Sequence, residues 1–191
     1  MSRPALTAAR CLLKAGSFPA EPLGMLRRCR GVWLYTVEEA CRWLPALPTL
    51  PPECDARTYA FRLRGGGIRW ILCYRADAGA GRVRFSLAHE LGHIALRHPE
   101  AGPREEAEAN AFASALLVPP PLLALAQERA ALTPALVSAV FGVSAAMAAA
   151  ALSRREAPLP EETAAALREA FGGQVLARLG ELRGAGLCPG G

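Results

Sequence analysis

Several things are scarce in this chain, and each scarcity bounds what it can be. No stretch reaches the roughly 18 consecutive apolar residues that a bilayer-spanning helix needs. The longest apolar run, residues 139–152, is interrupted by Ser144. The six cysteines, Cys11, Cys29, Cys41, Cys54, Cys73 and Cys188, contain no CxxC pair and no regular spacing. With no signal peptide visible, they read as free thiols in a reducing compartment, and the expected location is the cytoplasm. Lysine occurs once, at Lys14, so arginine supplies the rest of the 22 basic side chains behind the +5 net charge. Those arginines are scattered, with short clusters at Arg27, Arg28 and Arg30 and at Arg154 and Arg155, which suits a solvated surface better than a nucleic-acid patch. Histidine occurs three times only, at His89, His93 and His98. What is abundant is apolar: 52% of the 191 residues are hydrophobic, which excludes global disorder and allows one good core with a small appendage.

The stretch that organises the rest is RFSLAHELGHIAL, residues 84–96. It contains His89-Glu90-Leu91-Gly92-His93. On a helix, residues four apart stand one above the other, so both imidazoles can reach one metal ion. Glu90 lies about 100° around the helix, within reach of a water on that ion. Phe85, Leu87, Ala88, Leu91, Ile94, Ala95 and Leu96 make the helix apolar on most of its circumference, so it is expected to be buried. Buried polar groups need partners, and a metal supplies one for all three. Gly92 weakens the helix by about 1 kcal/mol relative to alanine. Its expected use is to admit another element close to the backbone between the ligands.

A catalytic zinc takes three protein ligands and a water. In a continuing helix His98 is rotated away from His89, and Pro99 follows it, so the third ligand must be Glu, Asp or Cys. Cys73 lies in a strand near the site helix and is a weak candidate. The segment REEAEANAFASALLVP, residues 104–119, is a second helical pattern. Glu108, Ala111, Phe112 and Ala115 share one face, and Phe112 carries that face inward. Glu105, a turn earlier, is the rival; Glu106 faces elsewhere and is expected to be solvated.

Upstream, residues 4–15 read as a helix ended by Gly16, residues 19–30 as a second helix closed by Gly31, and residues 32–35 as a strand. Thr36 can cap a short helix over residues 37–44, and prolines then impose an extended connection over residues 45–52. Alternation over residues 59–64 and 68–74 around Gly65-Gly66-Gly67 predicts a hairpin with Phe61 and Leu63 inward. Downstream, Thr133 caps a helix with Pro134 at its first position. Residues 133–155 have a helix–turn–helix cadence, but the second helix, residues 145–152, is almost all alanine. It lacks the Arg, Asn or Gln side chains that read bases, which argues for packing and against direct DNA recognition. A last helical stripe, Leu167, Phe171, Val175, Leu179 and Leu182, is expected to be interrupted at Gly172-Gly173. Residues 185–191 read as a loose tail.

HELGHIAL followed by Glu108-Ala109-Asn110-Ala111-Phe112-Ala113 and Leu116-Leu117-Val118-Pro119 closely resembles the ImmA/IrrE family of metallo-endopeptidases, over roughly residues 5–125. Ser86 stands where the family usually has Thr, and the short connection between the two motifs leaves little room for a substrate-binding insertion. The resemblance implies an α+β, mainly helical fold. A zincin-like domain in residues 1–125 would carry a small β-sheet beside the HExxH helix. A helical, helix–turn–helix-like region would follow in residues 126–191. The resemblance also implies Zn²⁺ held by His89, His93 and Glu108, with Glu90 as general base. The substrate it implies is a helix–turn–helix repressor, whose cleavage would derepress phage, mobile-element or stress-response genes. Two alternatives remain: a zinc-containing regulator that binds without cutting, and a DNA-binding module acting through residues 132–155. Tyr59, Tyr74 or an arginine would have to stabilise the oxyanion.

Overall fold

The computed structural model describes residues 2–100, 102–154 and 158–184; the expected tail, Cys188 and Arg155 lie outside them. The chain is α+β and mainly helical, with one small mixed sheet. Its contacts group into two compact units, Met1–Ala20 with Ser114–Gly191 and Glu21–Ala113. This division differs from a cut at residue 125, because the N-terminal helix packs with the C-terminal ones.

The Glu21–Ala113 unit carries the candidate chemistry. Helix α2 (Pro22–Arg27) is shorter than the helix expected over residues 19–30. Strand β1 (Val32–Thr36) leads into α3 (Val37–Trp43), where Thr36 and Glu39 form a reciprocal capping box. The hairpin of β2 (Ala56–Arg62) and β3 (Ile68–Tyr74) forms as its alternation predicts. The strand order is β1-β3-β2, with β1 parallel and β2 antiparallel to β3. β2 is therefore an edge. Trp70 and Leu72 are buried on the face that meets α4 (Ala80–Leu96). The other face packs Tyr35, Tyr59, Ile71 and Cys73 against Ala40, Leu44 and Leu47. Phe61 and Leu63 are exposed rather than inward, because the cover on that face stops short of the hairpin tip.

Helix α5 (Pro103–Leu117) runs out of this unit into the other. The Met1–Ala20 and Ser114–Gly191 unit is a helical assembly. In it α1 (Arg3–Ala15) and α6 (Pro120–Gln127) pack on α9 (Glu161–Gly184). Helix α7 (Pro134–Phe141) meets α8 (Ala145–Ser153) at a 109° bend through left-handed Gly142, and α7 also packs on α9. Phe18 closes edge-on against Phe141, with ring centroids 5.6 Å apart. The break expected at Gly172-Gly173 is absent, and α9 runs through. A Cβ at Gly172 would come within 3.0 Å of Leu125 Cδ2, so this glycine serves close packing, not termination. The outer face of α8 shows Ala145, Ala146, Ala149 and Ala150. Among the described residues no single helix is long and apolar enough to cross a membrane.

Candidate metal centre

α4 presents His89, Glu90 and His93 on the side facing α5 and β2. Its seating is set at two points. Near its start, the Arg82 guanidinium donates to both carboxylate oxygens of Asp55 at 2.9 and 2.8 Å, tying the helix to the entry of β2. In the middle, a Cβ on Gly92 would meet Phe112 Cδ1 at 3.1 Å and the Ala109 Cα and carbonyl oxygen at 3.2 Å. Gly92 thus admits α5 to the backbone between the two histidines, as its position in the motif predicts.

The carboxylate that meets the imidazoles is Glu106. Its oxygens lie 3.2 Å from His89 Nε2 and 3.5 Å from His93 Nε2, and the two Nε2 atoms are 3.0 Å apart. His89, His93 and Glu106 form a group that can hold a metal ion. Two sequence expectations are corrected here: Glu106 is not merely solvated, and Glu108 does not face the histidine pair. α5 packs through Ala109 and Phe112, so residues in line with that ridge meet α4's backbone. Glu106 and Asn110, four residues apart, lie on one flank of the ridge, and Glu108 lies on the other. The polar pair at helical spacing was the available signal. Glu105 is not in the group. Neither is Cys73, which sits on the sheet face away from α4, its thiol pushed up to about 11 chiefly by burial.

The hydrogen bonds around the group can all be met by one set of neutral ring tautomers. Glu108 Oε2 lies 3.2 Å from His98 Nε2, and a carboxylate only accepts, so His98 carries its proton on Nε2. His98 Nδ1 is then an acceptor, and His93 Nδ1–H donates to it at 3.3 Å. On the other ring, His89 Nδ1–H donates to Asn110 Oδ1 at 3.0 Å. In the neutral rings, both Nε2 atoms therefore point bare lone pairs at each other and at the Glu106 carboxylate. With the rings in these tautomers, a cation satisfies all three. The spacings agree: ligands at about 2.0–2.1 Å around a tetrahedral zinc stand about 3.3–3.4 Å from one another.

His98 enters this arrangement through the helix end. α4 stops at Leu96, and Arg97 adopts a left-handed conformation (φ 60°), turning the chain so that His98 N–H donates to the His93 carbonyl at 2.8 Å. A continuing helix would have carried His98 away; the left-handed cap brings it behind His93. Arg104 Nε donates to Glu108 Oε1 at 3.0 Å, and this contact, followed by His98, holds the Glu108 carboxyl below its ordinary pKa. His93 is buried, and burial together with the neighbouring His89 pushes its pKa down to about 4, so the ring is neutral and ready to ligate.

Glu90 is buried beside this group. Its Oε2 accepts from the Thr58 backbone N–H of β2 at 2.8 Å. Burial raises its pKa, opposed by Thr58 and by His89. Thr58 Oγ1 is buried without a hydrogen-bond partner. A cavity of about 1190 Å³ contains His89, Glu90, His93 and Glu106 in its wall and continues along β2 to the segment after α3. Tyr59 lines it, but its hydroxyl donates to the Pro48 carbonyl at 2.9 Å. Tyr74 does not line it, whereas Arg57 does.

Residues 51–153 match the model of the IrrE N-terminal-like domain, a peptidase family. No curated protein and no solved structure gives a significant match. The matched span covers more than half of the chain and includes the whole HExxH helix and the glutamate helix, so the chain belongs to the ImmA/IrrE family of metallopeptidases.

Proposed function

We propose that this protein is a zinc-dependent endopeptidase whose ligands are His89, His93 and Glu106 and whose general base is Glu90. The observation that carries the reading is the convergence of two imidazole Nε2 atoms and one carboxylate beside a buried second carboxylate. A zinc ion held there supplies Lewis acidity toward a peptide carbonyl and brings the pKa of a water down toward about 7. Glu90 Oε2 is occupied by the Thr58 N–H, which leaves Oε1 to take the water's proton and pass it to the departing amine. The burial that excludes solvent around Glu90 strengthens each of these interactions. Apart from the Thr58 N–H taken by Glu90, the outer edge of β2 offers backbone hydrogen bonds to an extended peptide, which would lie across the cavity.

The substrate we propose is a helix–turn–helix repressor in the cytoplasm, its cleavage relieving repression. Support comes from family membership. The alanine face of α8 supports no role in reading bases. The test is incubation of zinc-loaded protein with a repressor encoded beside it, followed by mass spectrometry. Cleavage at one bond, abolished in Glu90→Gln, is expected. An intact repressor that still binds the wild type would replace the peptidase reading with that of a non-cutting regulator.

A further inference from the structure

The cavity extends well beyond the metal ligands. It is lined by every residue of β2 from Ala56 to Phe61, so it follows the strand's outer edge and touches both faces of the sheet. Leu63 N–H bonds the Gly67 carbonyl, and Arg75 N–H bonds the Asp55 carbonyl. These contacts put the odd-numbered residues of β2 in the hydrogen-bonded pairs with β3, and the even-numbered ones direct their backbone groups outward. The Thr58 N–H reaching Glu90 fits that phase.

A peptide added at this edge continues the pleat, with successive side chains on opposite faces. One face looks toward α4 and the imidazoles. The other continues the face of Tyr59 and Phe61, and there the end of α3 and the following segment wall the cavity. Two residues joined by any one bond point one to each face. One side chain at the scissile bond must therefore land on that second wall.

That wall is an apolar shelf of Trp43, Leu44, Leu47 and Phe61. Trp43 is 67% and Phe61 42% exposed, an unusual amount of open aromatic surface beside a candidate active site. The shelf is held in place. Tyr59 bonds the Pro48 carbonyl, and the Arg75 guanidinium donates to the carbonyls of Leu50, Pro51 and Cys54 at 3.3, 3.1 and 3.0 Å. A large apolar side chain placed there would gain burial against these four residues.

We infer that the substrate carries a bulky apolar residue on one side of the scissile bond, seated on the shelf formed by Trp43, Leu44, Leu47 and Phe61. The inference rests on the peptidase reading. Its test is binding, measured calorimetrically, of two peptide hydroxamates to the zinc-loaded full chain. They are identical except for leucine or alanine at the residue bearing the metal-binding group, and each is made in both orientations relative to that group. The leucine compound is expected to bind about tenfold tighter or more in one orientation. Trp43→Ala is expected to collapse that ratio while leaving zinc content unchanged. Trp33→Ala, an exposed tryptophan outside the cavity, is expected to preserve it. Equal binding of leucine and alanine compounds in both orientations, with zinc bound, would overturn the shelf and leave the metal site standing. A ratio that survives both Trp43→Ala and Phe61→Ser would do the same. A folded protein that binds neither zinc nor hydroxamate would overturn the peptidase reading and the shelf with it.

Discussion

Replacing Gly92 with alanine tests whether the helix crossing sets the metal centre. The added Cβ would lie 3.1 Å from Phe112 Cδ1 and 3.2 Å from both the Cα and the carbonyl oxygen of Ala109. Ordinary carbon contacts are about 3.5–4.0 Å, so α5 must retreat by roughly half an ångström. Two of the three contacts are backbone and cannot swing aside. Overpacking of this kind costs about 1–3 kcal/mol, and the gain in helix propensity offsets about 1 kcal/mol of it. The net loss is then about 0–2 kcal/mol, or up to about 8 °C in Tm for a chain of this size. Metal affinity is the sharper readout. His89 and His93 ride on α4 while Glu106 and Asn110 ride on α5, so the same retreat opens the ligand set. A site of this kind tolerates only about 0.5 Å. Gly92→Ala is expected to lower zinc affinity roughly tenfold, a size typical of disturbed support around a metal. Competition with a chromophoric chelator measures it, beside thermal unfolding of the metal-free protein. A variant with a raised Tm and unchanged zinc affinity would refute the reasoning.

Further consequences follow from the hydrogen-bond chain and the buried groups. His98→Ala and Glu108→Gln, which break the chain behind His93, are each expected to weaken zinc binding by about 10–100-fold without changing its stoichiometry at saturating metal; loss of stoichiometric zinc in Glu108→Gln would make Glu108 a direct ligand. Glu90→Gln should bind zinc normally and cleave nothing, so residual turnover near the wild-type rate would remove Glu90 from the mechanism. In the metal-free protein, His93 has its pKa lowered from 6.5 to about 4. The unfolded chain takes up that proton first, so the stability His93 contributes is present above pH 6.5 and is lost as pH falls toward 4. Thermal unfolding across that window should show a decline that is smaller in His93→Gln, and equal slopes would contradict the assignment.

Much of this arrangement is legible in the sequence where local rules act alone. The HExxH spacing, the Thr36 and Thr133 caps, the triple-glycine hairpin and the role of Gly92 depend on residues close together in the chain, and the structure realises each. The sequence is less informative where two elements meet. Choosing among Glu105, Glu106 and Glu108 required knowing which flank of α5 turns toward α4, and that depends on the ridge of Ala109 and Phe112 against Gly92. The place of His98 depended on a left-handed Arg97, which no glycine announces. Phe61 looked like core because alternation fixes a side chain's face but not whether anything covers it. The paired glycines of α9 looked like a break because the value of Gly172 lies in its contact with Leu125.

The central claim is that two imidazoles and Glu106 hold one catalytic ion. The most direct test is the metal content of purified protein, compared among wild type, Glu106→Ala and Glu108→Ala after equilibration with excess zinc and removal of the unbound ion. The account predicts about one zinc per chain in the wild type and in Glu108→Ala, and loss of it in Glu106→Ala. Zinc retained by Glu106→Ala and lost from Glu108→Ala would contradict the ligand set, and a folded wild type that takes up no zinc would contradict the metal centre itself.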